Sequence, residues 1–282
     1  DAEKLQGTVY LDPARTNIFL RNKIKADIIE GLNITSSMKA VKNETEIKNY
    51  RNAFLKDGIA MVKILKWVED HADSGVTEWD VSEQLLRFRA EQPDFIEASF
   101  TTIAGYGANA AIIHYGPKKA TAATLQPKGF LLLDSGGQYK DGTTDITRTI
   151  PLGPLTAEEK EDYTLVLKGH IQLALARFPE NTTGYKLDIL ARNPLRKYGK
   201  DYKHGTGHGV GYVLSVHEGP QNIGLRYTDA PMKAGMITSN EPGLYRPGKW
   251  GIRIENLVLN QKVAAPQETA FGEYLYFETV TL

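Results

Sequence analysis

Cysteine is missing from all 282 residues, which excludes disulfides, thiolate metal sites and a cysteine nucleophile outright. Net charge is missing as well. Lys and Arg number 34 and Asp and Glu number 34, so the chain carries no electrostatic footprint for nucleic acid or an anionic membrane surface, and neither is expected as a partner. No apolar run approaches the roughly 20 residues that span a bilayer. The chain starts at Asp1 with no methionine and no signal-like segment. It reads as a piece of a longer polypeptide, and a cytoplasmic location is expected. What is present is 41% hydrophobic content, enough for a full core in one large domain or two smaller ones.

Residues 1–38 differ in pattern from the rest. "GTVYLD" and "NIFL" read as short strands, "NKIKADIIEGL" as a short helix and "NITSSMKAVKN" as a connector. Together they are expected to be the tail of a preceding domain, with residues 39–282 as the main domain. "ETEIKNYRNAFLKDGIAMVKILKWVEDH" places Ile47, Phe54, Met61, Leu65 and Val68 at helical spacing. "TEWDVSEQLLRFRAEQ" follows as a second helix, with Thr77 as its N-cap. Extended segments come next: "AAIIHY", "GFLLLDSGGQY" and "TTDITRTIPL". The plan then repeats. "TAEEKEDYTLVLKGHIQLALARF" opens on a capping box, Thr156 to Glu159, and "GYKLDILARNPL" is a shorter helix. "GVGYVLSVHE", "GMITSNEPGLY" and "WGIRIENLVLN" read as strands. Two helices then several strands, written twice, predict an α+β domain of two similar halves around a largely antiparallel sheet.

"HGTGHGVG", residues 204–211, carries two histidines four apart. On a helix that spacing suggests a zinc pair, but four glycines in eight residues make a helix costly, about 1 kcal/mol each relative to alanine. The acids lie elsewhere. Asp134 ends the apolar run "FLLLD" and Asp145 sits in "TTDITRT", with the turn signal "KDG" between them. With Asp141-Gly142 as a tight tip, Asp145 opposes Gln138, and Asp134 is four residues away, roughly 13 Å. One shared metal site then needs a wider turn or a bulge at Gly136-Gly137. Glu241 and Glu255 flank a second turn, "RPGKWG", with Ile252 and Ile254 on the core face and Arg253 and Glu255 on the other.

If the halves face each other, four carboxylates converge with one histidine. Such crowding in a low-dielectric site requires neutralisation, and two divalent cations supply it. Oxygen-dominated ligation with one imidazole favours manganese-like ions over zinc. A water shared by two such ions ionises near neutral pH and becomes a nucleophile. A lone Asp or Glu at a strand end is ordinarily solvated or turn-capping. Taken singly these acids carry no function, and His71 and His170, both on helical stretches, are read in that plain way.

The phrases "NAAIIHYGP", "DSGGQYKDGTTDITRT", "HGTGHGVG", "VHEGP", "NEPGLY" and "GIRIEN" together resemble the pita-bread metallopeptidases, and within them the aminopeptidase P (Xaa-Pro aminopeptidase) family. The resemblance runs from about residue 39 to the C-terminus. It implies the pita-bread fold and makes Asp134, Asp145, His208, Glu241 and Glu255 the metal ligands, with Asp145 and Glu255 bridging two divalent ions. His204 would line the pocket for the substrate's proline. His114 and His217 match histidines near the scissile bond, His217 as donor to the developing gem-diolate oxygen, and Tyr245 and Arg253 match pocket residues. The implied reaction removes the N-terminal residue from a peptide with proline second. A hydroxide bridging the metals attacks, and Glu241 shuttles the proton. A homodimer is also implied.

Prolidase and methionine aminopeptidase share the five ligands and are the nearest rivals. A non-catalytic binding module on the same fold is the rival from another class. Glu241→Gln and His208→Ala are each expected to remove nearly all turnover, measured with saturating manganese. Wild-type-like rates from either variant would overturn its assignment.

Overall fold

Asparagine caps decide the first 40 residues. In the computed structural model, which describes residues 1–264 and 271–282, the Asn17 side chain accepts from the Phe19 N–H at 2.8 Å and opens helix α1 (Ile18–Lys23). "NIFL" is therefore helical, not a strand. Asn33 accepts from Ser36 N–H at 2.9 Å and opens α2 (Ile34–Ala40) where a connector was expected. The expected helix in "NKIKADIIEGL" is instead strand β2 (Asp27–Glu30), which pairs in parallel with β1 (Thr8–Leu11). Ile18, Phe19, Leu20 and Ile29 remain exposed on this unit.

The two-half plan follows. Helices α3 (Glu44–His71) and α4 (Glu78–Ala90) both open on capping boxes, Asn43 with Glu46 and Thr77 with Asp80. Their apolar faces, including Met61, Ile64, Val68, Val81 and Leu85, bury against Leu131 and Leu133. Within that interface the Asp57 carboxylate pairs with Arg89 at 2.8 Å and accepts from Tyr139 Oη at 2.9 Å. Six strands complete this half: β3 (Phe95–Ala98), β4 (Ile103–Tyr106), β5 (Phe130–Ser135), β6 (Gly137–Tyr139), β7 (Gly142–Thr143) and β8 (Ile146–Pro151).

The second half repeats the order. Its helices are α5 (Ala157–Ala174), with the Thr156–Glu159 capping box, and α6 (Gly184–Arg196), separated by β9 (Arg177–Pro179). Leu173, Leu187 and Ala191 pack on Val258 and Leu275. The strands are β10 (Gly207–His208), β11 (Asn222–Ile223), β12 (Ile237–Asn240), β13 (Gly243–Arg246), β14 (Trp250–Arg253), β15 (Asn256–Lys262) and β16 (Tyr274–Thr279). Among the described residues every ladder except β1–β2 is antiparallel. The expected single sheet is divided into shorter ones, and the divisions fall at acids.

In the first half, β5 pairs with β8, Asp134 opposite Thr147 and Ser135 opposite Ile146. Beyond a gap, β6 pairs with β7, Gln138 opposite Thr143 and Tyr139 opposite Gly142. One register runs through both ladders, so the tip is Lys140-Asp141, not Asp141-Gly142. Asp145 then lies across from Gly136, two residues from Asp134 instead of four. Neither a wider turn nor an inserted residue is needed. In the second half, Asn240 opposes Asn256 and Gly243 opposes Arg253, again on one register, and Glu241 faces Glu255 across the gap. The halves meet at a bridge between Thr147 and Glu255, whose N–H donates to Thr147 O at 3.1 Å.

Two segments read as extended are not strands. Residues 107–111 form a 3₁₀ turn and continue in turns to Tyr115. Residues 211–217 curl, with Val213 at φ 50°, a left-handed conformation rare for a β-branched residue. The curl is held from the first half: Tyr50 Oη donates to Gly211 O at 2.6 Å, and Gln138 Nε2 donates to Leu214 O at 2.7 Å.

Gly136 allows the first gap to close, because a Cβ there would sit 1.9 Å from Thr144 O. Gly136→Ala is expected to cost about 3 kcal/mol, the upper end for overpacking, read from urea denaturation. An unshifted midpoint would contradict the close approach.

Candidate metal centre

The two gaps open on one cavity of about 350 Å³, lined by His114, Asp134, Asp145, His204, His208, His217, Glu241, Arg253 and Glu255. Of the ten residues singled out from the sequence, only Tyr245 is set behind the wall. Its hydroxyl lies 2.8 Å from His204 Nε2 and accepts from Arg253 Nη1 at 2.7 Å.

His208 reaches the carboxylates because its neighbour has no side chain. A Cβ at Gly207 would lie 2.0 Å from Ser239 O, so glycine lets β10 lie against β12, where His208 N–H donates to Ser239 Oγ at 2.9 Å. Nδ1 of His208 is 3.0 Å from the Gly209 carbonyl and donates to it, which turns Nε2 toward Asp145 Oδ2 at 3.5 Å and Glu241 Oε1 at 3.3 Å. Asp145, His208 and Glu255 each offer one ligand atom within 4.8 Å of the others. Asp134 completes the acid group from β5, with Oδ2 held by Arg253 Nη2 at 2.6 Å. The Arg253–Asp134 pair had no sequence signal beyond the resemblance.

Two hydroxyls were missed. Thr147 Oγ1 donates to Glu255 Oε2 at 2.7 Å, and Ser239 Oγ donates to Glu241 Oε1 at 3.0 Å. Thr147 is two residues after Asp145, and Ser239 two before Glu241. The period of two that puts alternate strand residues on one face was the available signal.

The acids perturb one another strongly. Burial, with the repulsion of Asp134 behind it, pushes Asp145 up to about 6 against the pull of His208. Burial and the repulsion of Asp145 push Glu241 up to about 7 against the attraction of His208. Burial, then Asp145, Glu241 and Asp134, raise Glu255 well above the usual carboxylate range. Burial pulls His208 down, but its hydrogen bond to Asp145 and the attraction of Glu241 outweigh that and lift it to about 9. The cluster therefore gathers positive charge, as protons or as metal ions. Asp134 Oδ1 and Glu255 Oε1 are buried and accept no hydrogen bond from the described residues, as suits oxygens that ligate a hard cation. The donor set fits divalent metal.

Beside the acids, His204 and His217 are held neutral. Burial lowers His204 to about 4. Its Nδ1 donates to Gly205 O at 2.8 Å, so Nε2 accepts from Tyr245, whose proton burial retains up to about 12. Burial, then His208, lowers His217, whose ring stands edge-on to His208 at 4.2 Å.

The sequence profile described as metallopeptidase family M24 matches residues 48–262. The chain belongs to metallopeptidase family M24. It has that family's pita-bread fold, and metallopeptidase M24 relatives supply the detail. A probable Xaa-Pro aminopeptidase P of Sordaria macrospora is 48% identical over 249 residues, 86% of this chain and 41% of the relative. Xaa-Pro aminopeptidase 1 of Dictyostelium discoideum is 43% identical over 292 aligned positions, 100% of this chain and 46% of the relative. The crystal structure of an X-prolyl aminopeptidase from Caenorhabditis elegans, described as a cytosolic enzyme with a di-nuclear active site, superposes with a TM-score of 0.92 at 39% identity, covering 98% of this chain and 45% of that one. The chain thus spans less than half the length of these relatives.

Raised carboxyls hold protons in the folded M24 domain that the unfolded chain releases. The stability Glu241 contributes is therefore full below its ordinary value of 4.5 and is lost as pH rises through about 7. In chelator-treated protein, wild-type stability relative to Glu241→Gln is expected to fall between pH 4.5 and 7, read from thermal midpoints. A flat difference would contradict the electrostatic reading.

Proposed function

We propose that this chain is the catalytic part of an Xaa-Pro aminopeptidase, which removes the N-terminal residue from peptides with proline in second position. The observation that carries the reading is the convergence of four carboxylates, three of them buried and Glu241 half-buried, and His208 on one cavity, in a chain nearly half identical to a probable Xaa-Pro aminopeptidase P. Asp134, Asp145, His208, Glu241 and Glu255 would hold two divalent ions. Support for two comes from the charge of the four acids and from the di-nuclear site described for the C. elegans enzyme. The oxygen-rich donor set favours manganese. Ions held there supply Lewis acidity and an activated water.

The chain's own residues would do the rest. Glu241 would accept the proton of the attacking water and pass it to the departing imino nitrogen of proline. His217 donates to the oxygen that gains charge at the attacked carbonyl, and His114 contacts the residues beside the scissile bond. His204, fixed through Tyr245 and Arg253, walls the proline ring, which has no N–H and so is selected by shape and apolar contact.

Residues 1–38 are read as the end of a preceding domain, supported by the exposed Ile18, Phe19 and Leu20, and residues 39–282 as the catalytic unit. The expected location is the cytosol, as described for the C. elegans neighbour. A homodimer is the assembly the resemblance implies.

Elemental analysis together with peptide assays tests the reading. Two divalent ions per chain, manganese foremost, and cleavage of an Xaa-Pro-Xaa tripeptide in preference to an Xaa-Pro dipeptide are expected. Preference for the dipeptide would make the chain a prolidase-type enzyme, and absence of bound metal would make it a non-catalytic module.

A further inference from the structure

Residues 107–123 carry His114 to the cavity, yet among the described residues they hold no regular structure beyond the 3₁₀ turn at Gly107–Ala111. A segment so poor in its own hydrogen bonds needs an outside anchor. One is present. Glu78, the first residue of α4, is fully buried, and its carboxylate collects donors from both ends and the middle of the segment. Oε1 accepts from Tyr106 N–H at 2.7 Å and from Asn109 Nδ2 at 3.0 Å. Oε2 accepts from Asn109 Nδ2 at 3.1 Å, Tyr115 Oη at 2.8 Å and Ala123 N–H at 2.8 Å. The Glu78 N–H in turn donates to Ala123 O at 3.0 Å.

We propose that Glu78 is the positioning residue for His114: it ties the start, the centre and the end of the surrounding segment to the rigid first turn of α4. This deepens the peptidase reading and rests on it for the contact between His114 and substrate. Tyr115 is the direct link, since it adjoins His114 and donates to Glu78. Burial, then the bond to Glu78, pushes the Tyr115 hydroxyl up to about 12, so it stays a donor.

The chemistry demands a carboxylate. The Tyr106 and Ala123 N–H groups sit on different oxygens, and a backbone N–H cannot reverse into an acceptor. Glutamine offers one acceptor oxygen and puts an NH₂ where the other is needed, so one end of the segment must detach. Aspartate keeps both oxygens but is one methylene too short to reach both ends.

A double-variant cycle with an Xaa-Pro-Xaa tripeptide tests the role. Glu78→Gln is expected to lower kcat/KM about tenfold, the scale of coupling within one hydrogen-bond network. His114→Ala also lowers it, and the double variant should be no worse than His114→Ala alone. Hydrogen exchange should quicken in residues 106–123 of Glu78→Gln and stay unchanged elsewhere, with metal content unaltered. A double variant that loses the product of both effects, or exchange in 106–123 as slow as wild type, overturns the proposal. Should Glu78→Gln not fold, Tyr115→Phe, which removes one donor and keeps the carboxylate, is read in the same cycle and the same exchange measurement. If the wild-type chain cleaves no Xaa-Pro peptide, the peptidase reading fails, while the exchange pattern still decides whether Glu78 anchors the segment.

Discussion

Repulsion between buried carboxylates is the constraint that organises this molecule. Two such groups 4 Å apart repel by about 4 kcal/mol at the effective dielectric of a protein site, and four share one cavity here. No fold keeps such a group unless something holds the acids in place and something positive answers them. Both conditions are met. Asp145, Glu241 and Glu255 sit at interruptions in antiparallel ladders, with paired backbone on either side, and Asp134 sits in the paired strand that leads to one. The positive answer is shared among Arg253 on Asp134, His208 between Asp145 and Glu241, and the ions the remaining oxygens suit.

The surroundings divide the work by charge. Hydroxyls of Thr147 and Ser239 fix carboxylate oxygens without adding charge. The chain from Arg253 through Tyr245 to His204 runs donor to acceptor in one direction only, so it sets the tautomer of a neutral imidazole at the pocket wall. Positive charge lies on Arg253 and His208 beside the acids, and His204 stays neutral.

Much of this was legible in the residues. The helices announced themselves through capping pairs such as Thr156 with Glu159, and through the apolar spacing of Phe54, Met61 and Val68. The acids were legible as strand-end residues beside turn signals. Their meeting was not, because a tip at Lys140-Asp141 instead of Asp141-Gly142 moves the register by two residues, and a lysine-aspartate pair gives no sign of preferring the tip. Residues 110–115 and 209–218 misled for a different reason. Their apolar residues look extended, but what holds them comes from elsewhere: Glu78 takes the Tyr115 hydroxyl and the flanking Tyr106 and Ala123 N–H groups in one case, and Tyr50 with Gln138 grips the carbonyls in the other. In the first 40 residues, Asn17 and Asn33 outweighed weak local preference through short-range caps.

The bridge between Thr147 and Glu255 joins the two hairpins in the floor of the cavity, by a backbone hydrogen bond and by the threonine hydroxyl. A cleft stitched along its base cannot admit a guest by parting its halves like a jaw, since the first stitch to open would carry away a carboxylate from the middle of the cluster. Any opening motion is therefore left to the irregular segments bearing His114 and His217, which line the same cavity. Changes in what the cavity admits should accumulate in those segments and leave the seam untouched.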